Sequence, residues 1–276
     1  MKQKQKLIVL FISNLSSINF AWHFLNYATL VSFEESFLES EERTLKIEKL
    51  QKNKQYKELN AIVCLQALSE KQCNEIAIEI SPKTQVITSN ISCYLMFKQK
   101  KVNVVYVKIK EDISTPTPKL SLICTEEIEQ EIFQETVSQK IDKKIINLEL
   151  SKTIIYACVG GLSCLSKNNI KSLLFNIPKQ TKLIKLFSES IRLTNSVMLT
   201  VSKFENFNFY KFLSGKGILK NIKQHFQVFA LLYSLRNQTY TVEAAKESVN
   251  NLISFNYNQF CEINNIEQLL SNLTKL

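Results

Sequence analysis

The amino-acid sequence reads as an α+β chain, with a small antiparallel sheet and packed helices in its N-terminal half and a mainly α-helical, basic C-terminal half. Three observations point there. Between residues 75 and 109, β-branched and aromatic runs alternate with short polar connectors, the mark of strands. From residue 119 onward apolar residues recur at three- and four-residue steps, the mark of amphipathic helices. Charge divides the same way: residues 1–138 carry 17 Lys+Arg against 17 Asp+Glu, whereas residues 139–276 carry 18 against 8.

Composition supports a folded chain. Of 276 residues 45% are hydrophobic and 22% charged, enough apolar material for a core and too little charge for disorder. Four glycines and four prolines exclude collagen-like and linker architectures and disfavour folds built on glycine loops. Only three of the 35 basic residues are arginines (Arg43, Arg192 and Arg236), and Asn and Ile are abundant. This is the imprint of an A+T-rich coding sequence, so where the lysines lie says more than how many there are.

Three regions follow along the chain. Residues 1–33 form an uncharged segment after Lys2, Lys4 and Lys6. As a helix, Leu7–Phe33 would reach roughly 40 Å, long enough to cross a bilayer. Ser13, Asn14, Ser16, Ser17, Asn19 and Asn26 interrupt it, so a buried core element is the first expectation, with a membrane anchor and an uncleaved targeting segment as the alternatives. Residues 34–118 form an α+β region. Glu34–Leu59 starts acidic and ends basic, as a helix macrodipole favours. Leu38 and Leu45 there share a heptad position. Ala61–Leu68 reads as a short buried helix and Glu75–Ile80 as a strand, since its apolar residues alternate. Thr84–Phe97 and Val102–Ile109, joined by Lys98-Gln99-Lys100-Lys101, read as an antiparallel hairpin.

Thr115-Pro-Thr-Pro118 is the expected boundary, because each proline fixes its own φ and keeps the preceding residue out of helical space. Residues 119–276 are then mainly helical. Thr125–Ile146 heads the series as an amphipathic helix, followed by Ile154–Leu165, Lys167–Phe175 stopped by Pro178, Thr181–Phe187, Val197–Phe212, Ile218–Leu235, Val242–Phe255 and Ile266–Leu273, with a strand from Asn195-Ser-Val through Val201 as the alternative to the start of the fifth.

No recognised catalytic motif is present. Ser214-Gly-Lys-Gly217 fails the phosphate-loop spacing at Tyr210 and at Gly217, and reads as a turn. Val159-Gly-Gly-Leu162 is too short for a dinucleotide fingerprint, and close helix packing explains it. The seven cysteines lack the paired spacing of a metal site and read as reduced core thiols in a reducing intracellular compartment, with a mitochondrion as one such setting. His23 and His225 are the only histidines. Both fit structural roles better than acid–base ones. No cofactor and no metal are expected.

The richest constellation is basic and aromatic. Residues 150–236 hold thirteen basic residues against two acids, Glu189 and Glu205, a field that attracts polyanions. Within it Lys203, Lys211, Lys216, Lys220, Lys223 and Arg236 interleave with Phe209 and Tyr210, the ingredients of a stacking and phosphate-tracking surface. The expectation is therefore a non-catalytic structural subunit of a large assembly, contacting RNA or another polyanion through residues 150–236 and protein partners through its N-terminal half, as in an organellar ribosome. Its alternatives are an accessory subunit of a membrane complex, with membrane contact through residues 7–33, and an enzyme whose site is invisible as a motif.

Overall fold

The structure, a computed structural model, describes residues 9–12, 31–32, 36–40, 43–49, 61–64, 68–112, 119–128, 137–167, 169–196, 203–204, 207–256 and 261–276. The chain is mixed α/β. It divides into two compact units, Met1–Ile145 and Ile146–Leu276.

The first unit is organised by parallel pairing. Its strands are β1 (Val9–Ile12), β2 (Val31–Ser32), β3 (Ser36–Ser40), β4 (Arg43–Lys49), β5 (Ala61–Cys64), β6 (Gln85–Thr88), β7 (Val104–Asp112), β8 (Lys119–Cys124) and β9 (Val137–Ile141). Six of them form one sheet in the order β1-β5-β6-β7-β8-β9. The β1-β5-β6-β7 stretch is wholly parallel, with Leu10 opposite Ile62, Ile62 opposite Val86 and Ile87 opposite Val105. β8 then runs antiparallel to β7, and β9 parallel to β8. Two helices make the crossovers: α1 (Glu70–Glu79) between β5 and β6, and α2 (Ile91–Gln99) between β6 and β7.

This overturns the antiparallel hairpin expected over residues 84–109. Gln85–Thr88 is a strand, but Ile91–Gln99 is a helix that carries the chain back to start β7 beside β6 in the same direction. Asn90 decides the switch: its side chain accepts from the Cys93 N–H at 3.0 Å, capping the helix three residues after the strand ends. The strand expected at Glu75–Ile80 is the second half of α1, which opens on a capping box. There Ser69 Oγ accepts from Gln72 N at 3.2 Å and Gln72 Oε1 accepts from Ser69 N at 2.9 Å. Cys73 and Ile76 face the core while Ile78 stands exposed, a three-residue period hidden under a fortuitous alternation.

Three further expectations change. Ala61–Cys64 is strand β5, not a helix, and every residue of it is buried, as a strand covered on both faces must be. Glu34–Leu59 contains β3 and β4, so Leu38 and Leu45 stand opposite each other across an antiparallel pair instead of sharing a helix face. In the expected helix Thr125–Ile146, Thr125 instead fastens β8 to β7: its Oγ1 accepts from Tyr106 N at 3.0 Å and its N–H donates to Tyr106 O at 3.1 Å. Beyond it Gln139 of β9 clasps the Ile128 backbone by both amide atoms, at 3.2 and 3.0 Å. The Thr115–Pro118 segment lies outside the described residues; the two compact units meet in sequence at Ile145. Of the uncharged N-terminal segment, Val9–Ile12 is a strand of the main sheet; residues 13–30 lie outside the described residues.

The second unit is mainly helical: α3 (Ile145–Cys164), which begins at the last residue of the first unit, α4 (Lys171–Leu174), α5 (Ile177–Ser196), α6 (Phe209–Leu213), α7 (Gly217–Ser234), α8 (Val242–Ser254) and α9 (Asn264–Leu273). The helix expected over Val197–Phe212 is not formed among the described residues: a two-residue ladder, β10 (Lys203–Phe204) with β11 (Phe207–Asn208), precedes α6, and only Phe209–Leu213 is helical there. Pro178 starts α5, where its missing N–H costs nothing, and does not merely stop the helix before it. α3 is long and apolar enough to cross a membrane, yet two-thirds of its apolar window is buried by its neighbours, as in a core helix. Its middle widens into a π-helical turn at Tyr156–Gly160, on which α8 packs.

Gly160 and Gly161 make that packing close. A Cβ at Gly160 would meet the Tyr240 ring at 3.0 Å, and one at Gly161 would meet Leu269 of α9 at 2.9 Å. The other two glycines, Gly215 and Gly217, hold positive φ at the turn into α7. All four glycines of the chain thus serve the packing and turns of the second unit.

Candidate functional site

In an open parallel sheet, ligands lie beyond the carboxyl ends of the strands, where the crossover helices begin. Here that edge is formed by the ends of β5 and β6 and the first turns of α1 and α2. The polar chain there is short and fully specified. Thr88, buried at the end of β6, accepts through Oγ1 from Asn90 N at 3.1 Å, and Asn90 in turn caps α2. Ser69 caps α1. Two helix N-termini therefore converge on one edge, where partial positive charge favours an anionic group.

Beneath the caps lie three buried thiols. Cys64 ends β5, Cys73 lies on α1, and Cys93 sits in the first turn of α2. Cys93 Sγ accepts from Leu68 N at 3.1 Å. A hydrogen bond from Cys73, more than any other cause, holds the Cys93 thiol below the ordinary cysteine range, and the amides of Leu68 and of Cys93 itself add to it. The same bond, followed by burial, pushes Cys73 up, and burial pushes Cys64 well up. Spacing gave no sign of this trio, because its members come from three elements joined only by the sheet. Among the described residues no group of His, Cys, Asp or Glu is placed to hold a metal ion.

The residues expected to contact a polyanion fall differently. Lys216, Lys220 and Lys223 do gather at the start of α7, with Lys216 and Lys223 exposed and the Lys223 ammonium 3.4 Å from Ser214 Oγ. Lys211 is exposed on α6, whose first turn is capped by Asn208. Arg236 lies over the Tyr233 ring, 4.1 Å from its centroid, and donates to the Tyr233 carbonyl at 2.7 Å. Phe209 is no stacking platform: it is fully buried, its ring edge-on to Phe187 at 6.1 Å. The side chains of Lys203 and Tyr210 lie outside the described residues; their backbones belong to β10 and α6. His225 is part-buried, with Nδ1 3.2 Å from Gln180 Oε1.

Glu189, one of only two acids in the basic stretch, is also drawn inward. Its carboxylate accepts from Asn265 N at 3.1 Å, from Ile266 N at 3.2 Å and from the Asn265 side chain, so it caps α9 from outside that helix. Ile263, at the capping position, offers no side-chain bond.

The edge of the parallel sheet invites a test for a dinucleotide. The residues that follow β1 are Ser13-Asn-Leu-Ser-Ser-Ile18, and the first unit contains no glycine at all. A pyrophosphate cradle needs glycines there, one for the tight turn and one so that the backbone can approach the phosphates. With a Cβ at every position, this chain does not fit that form of binding.

No family model and no curated protein sequence matches the chain. Solved structures do. A protein assigned as a 2-dehydropantoate 2-reductase from Enterococcus faecalis aligns with a TM-score of 0.54 at 9% identity, over 98% of this chain and 97% of its own. A ketopantoate reductase from Ralstonia eutropha JMP134 gives 0.52 at 6% identity, covering 98% of each chain. A dimeric ketopantoate reductase from Staphylococcus aureus gives 0.50 at 9%, again over 98% of each. The fold is therefore shared end to end with small-molecule reductases. This overturns the expectation of a structural, RNA-binding ribonucleoprotein subunit: the helical half is part of a reductase-like fold, and its basic composition alone had suggested the RNA-docking module.

Proposed function

We propose that the chain is a small-molecule oxidoreductase acting on the carbonyl or hydroxyl carbon of a small organic acid, with its ligands at the carboxyl edge of the β1-β5-β6-β7 sheet. The observation that carries this reading is the parallel stretch of sheet, with α1 and α2 starting from its carboxyl edge, in a chain that follows ketopantoate reductases over 98% of its length. Two capped helix N-termini at that edge suit a carboxylate. Because the residues after β1 do not form a glycine cradle, no step is assigned to a dinucleotide.

The experiment is direct. The purified chain is incubated with a panel of 2-oxo acids, ketopantoate among them, under NADH, NADPH or reduced flavin, and the 2-hydroxy acid is measured by mass spectrometry. Hydroxy-acid formation with at least one reductant is expected. Its absence with every combination refutes the reading.

A further inference from the structure

α7 buries one face in the second unit, through Gln224, Val228, Leu231 and Leu232. Its opposite face should be polar. It is apolar instead: Ile218 is 78% exposed, Leu219 80% and Phe226 73%, with Ile222, Phe229 and Tyr233 exposed beside them. At 100° per residue these six side chains fall within one arc about 100° wide, running some 22 Å along the helix. Phe175, 84% exposed at the end of α4, extends the stripe, its ring edge-on to Phe229 at 6.3 Å, and Phe229 stacks on Tyr233 at 6.5 Å. Single exposed apolar residues are ordinary, but a continuous stripe of this kind marks a binding surface.

Charge identifies what it binds. Exposed Lys223 stands about 40° beyond one edge of the arc, exposed Lys216 precedes its start, and no acid occurs in residues 206–242. Glu189 is turned inward onto α9. A second copy of the chain is a poor occupant, since the same face of a partner would bring more lysine and no acid to meet it. An anionic bilayer suits both features, because aliphatic and aromatic side chains enter the boundary between head groups and acyl chains while lysines meet the phosphates.

We propose that α7 is an in-plane membrane-binding helix, which seats the Ile218–Tyr233 stripe in an anionic lipid surface with Lys216 and Lys223 at the head groups. The test uses the full chain and sedimentation with vesicles of phosphatidylcholine plus phosphatidylserine, against vesicles of phosphatidylcholine alone. Binding to the mixed vesicles is expected to be at least about tenfold tighter and to weaken with salt. Lys216→Glu with Lys223→Glu should weaken it by about tenfold or more. Ile218→Ser with Phe226→Ser should do the same while leaving thermal unfolding unchanged, since both side chains are already in water. Equal binding to both vesicles, no binding to either, or binding that survives the Ile218/Phe226 variant overturns the proposal. So does a chain that ignores vesicles but loses self-association, or capture of an acidic helical peptide, on the same substitutions.

Discussion

Removing the carboxylate of Glu189 should unfold the second unit at a markedly lower temperature. In Glu189→Ala the N–H groups of Asn265 and Ile266 lose an ionised acceptor at 3.1 and 3.2 Å, in a place where Ile266 is fully buried and α9 has no cap of its own. Hydrogen bonds to charged groups contribute about 1.5–3 kcal/mol each, and the cost of burying the carboxylate offsets part of that. A net loss of about 3 kcal/mol follows, within the range for removing an acceptor that leaves buried donors unpaired. For a unit of about 130 residues, each kcal/mol moves Tm by roughly 3 °C, so the transition should fall by about 9 °C. Glu189→Gln keeps one acceptor oxygen and should lose about half as much. Calorimetry of the full chain, with near-UV circular dichroism, measures both. If Glu189→Ala lies within about 0.5 kcal/mol of the parent, the carboxylate is not the cap of α9 and the reasoning fails.

Gly161→Ala should cost about 1–3 kcal/mol, because the new methyl would stand 2.9 Å from Leu269, and Leu269→Ala in the same chain should recover part of the loss in a double-mutant cycle. Additive effects would show that the two do not touch. Burial pushes Cys158 up to about 12, whereas the unfolded thiol ionises near 9. The unfolded state therefore releases its proton first. Stability is complete below pH 9 and should be lost as pH rises towards 12, at up to about 1.4 kcal/mol per pH unit from this thiol. Urea unfolding between pH 8 and pH 10.5 should show a shallower decline in Cys158→Ala; an identical slope would assign the decline to other groups.

Two helices of the second unit, α7 and α8, were legible because helix formation is local, whereas the helix expected over Val197–Phe212 gave way to β10 and β11. Ile218–Leu235 was expected and Gly217–Ser234 is found; Val242–Phe255 was expected and Val242–Ser254 is found. Each carries its own period and, in α8, its own cap at Thr241. The Gly160–Gly161 pair was rightly assigned to close packing. The first unit misled for the opposite reason. A strand covered on both faces has no alternation, so Ala61–Cys64 looked like a buried helix, and Glu75–Ile80 alternated while lying in one.

By itself the sequence determined the composition-level facts: a folded chain, a basic second half rich in helix, free cysteines and no glycine loop after β1. Only the tertiary structure decided that β1, β5, β6 and β7 run parallel, that Cys64, Cys73 and Cys93 meet, that Phe209 is core and that Glu189 caps a helix more than seventy residues away. Helical period and caps are written within a few residues of chain. Strand direction, thiol clustering and a cap borrowed from another helix depend on which distant segments share a core, and burial sets that for the chain as a whole.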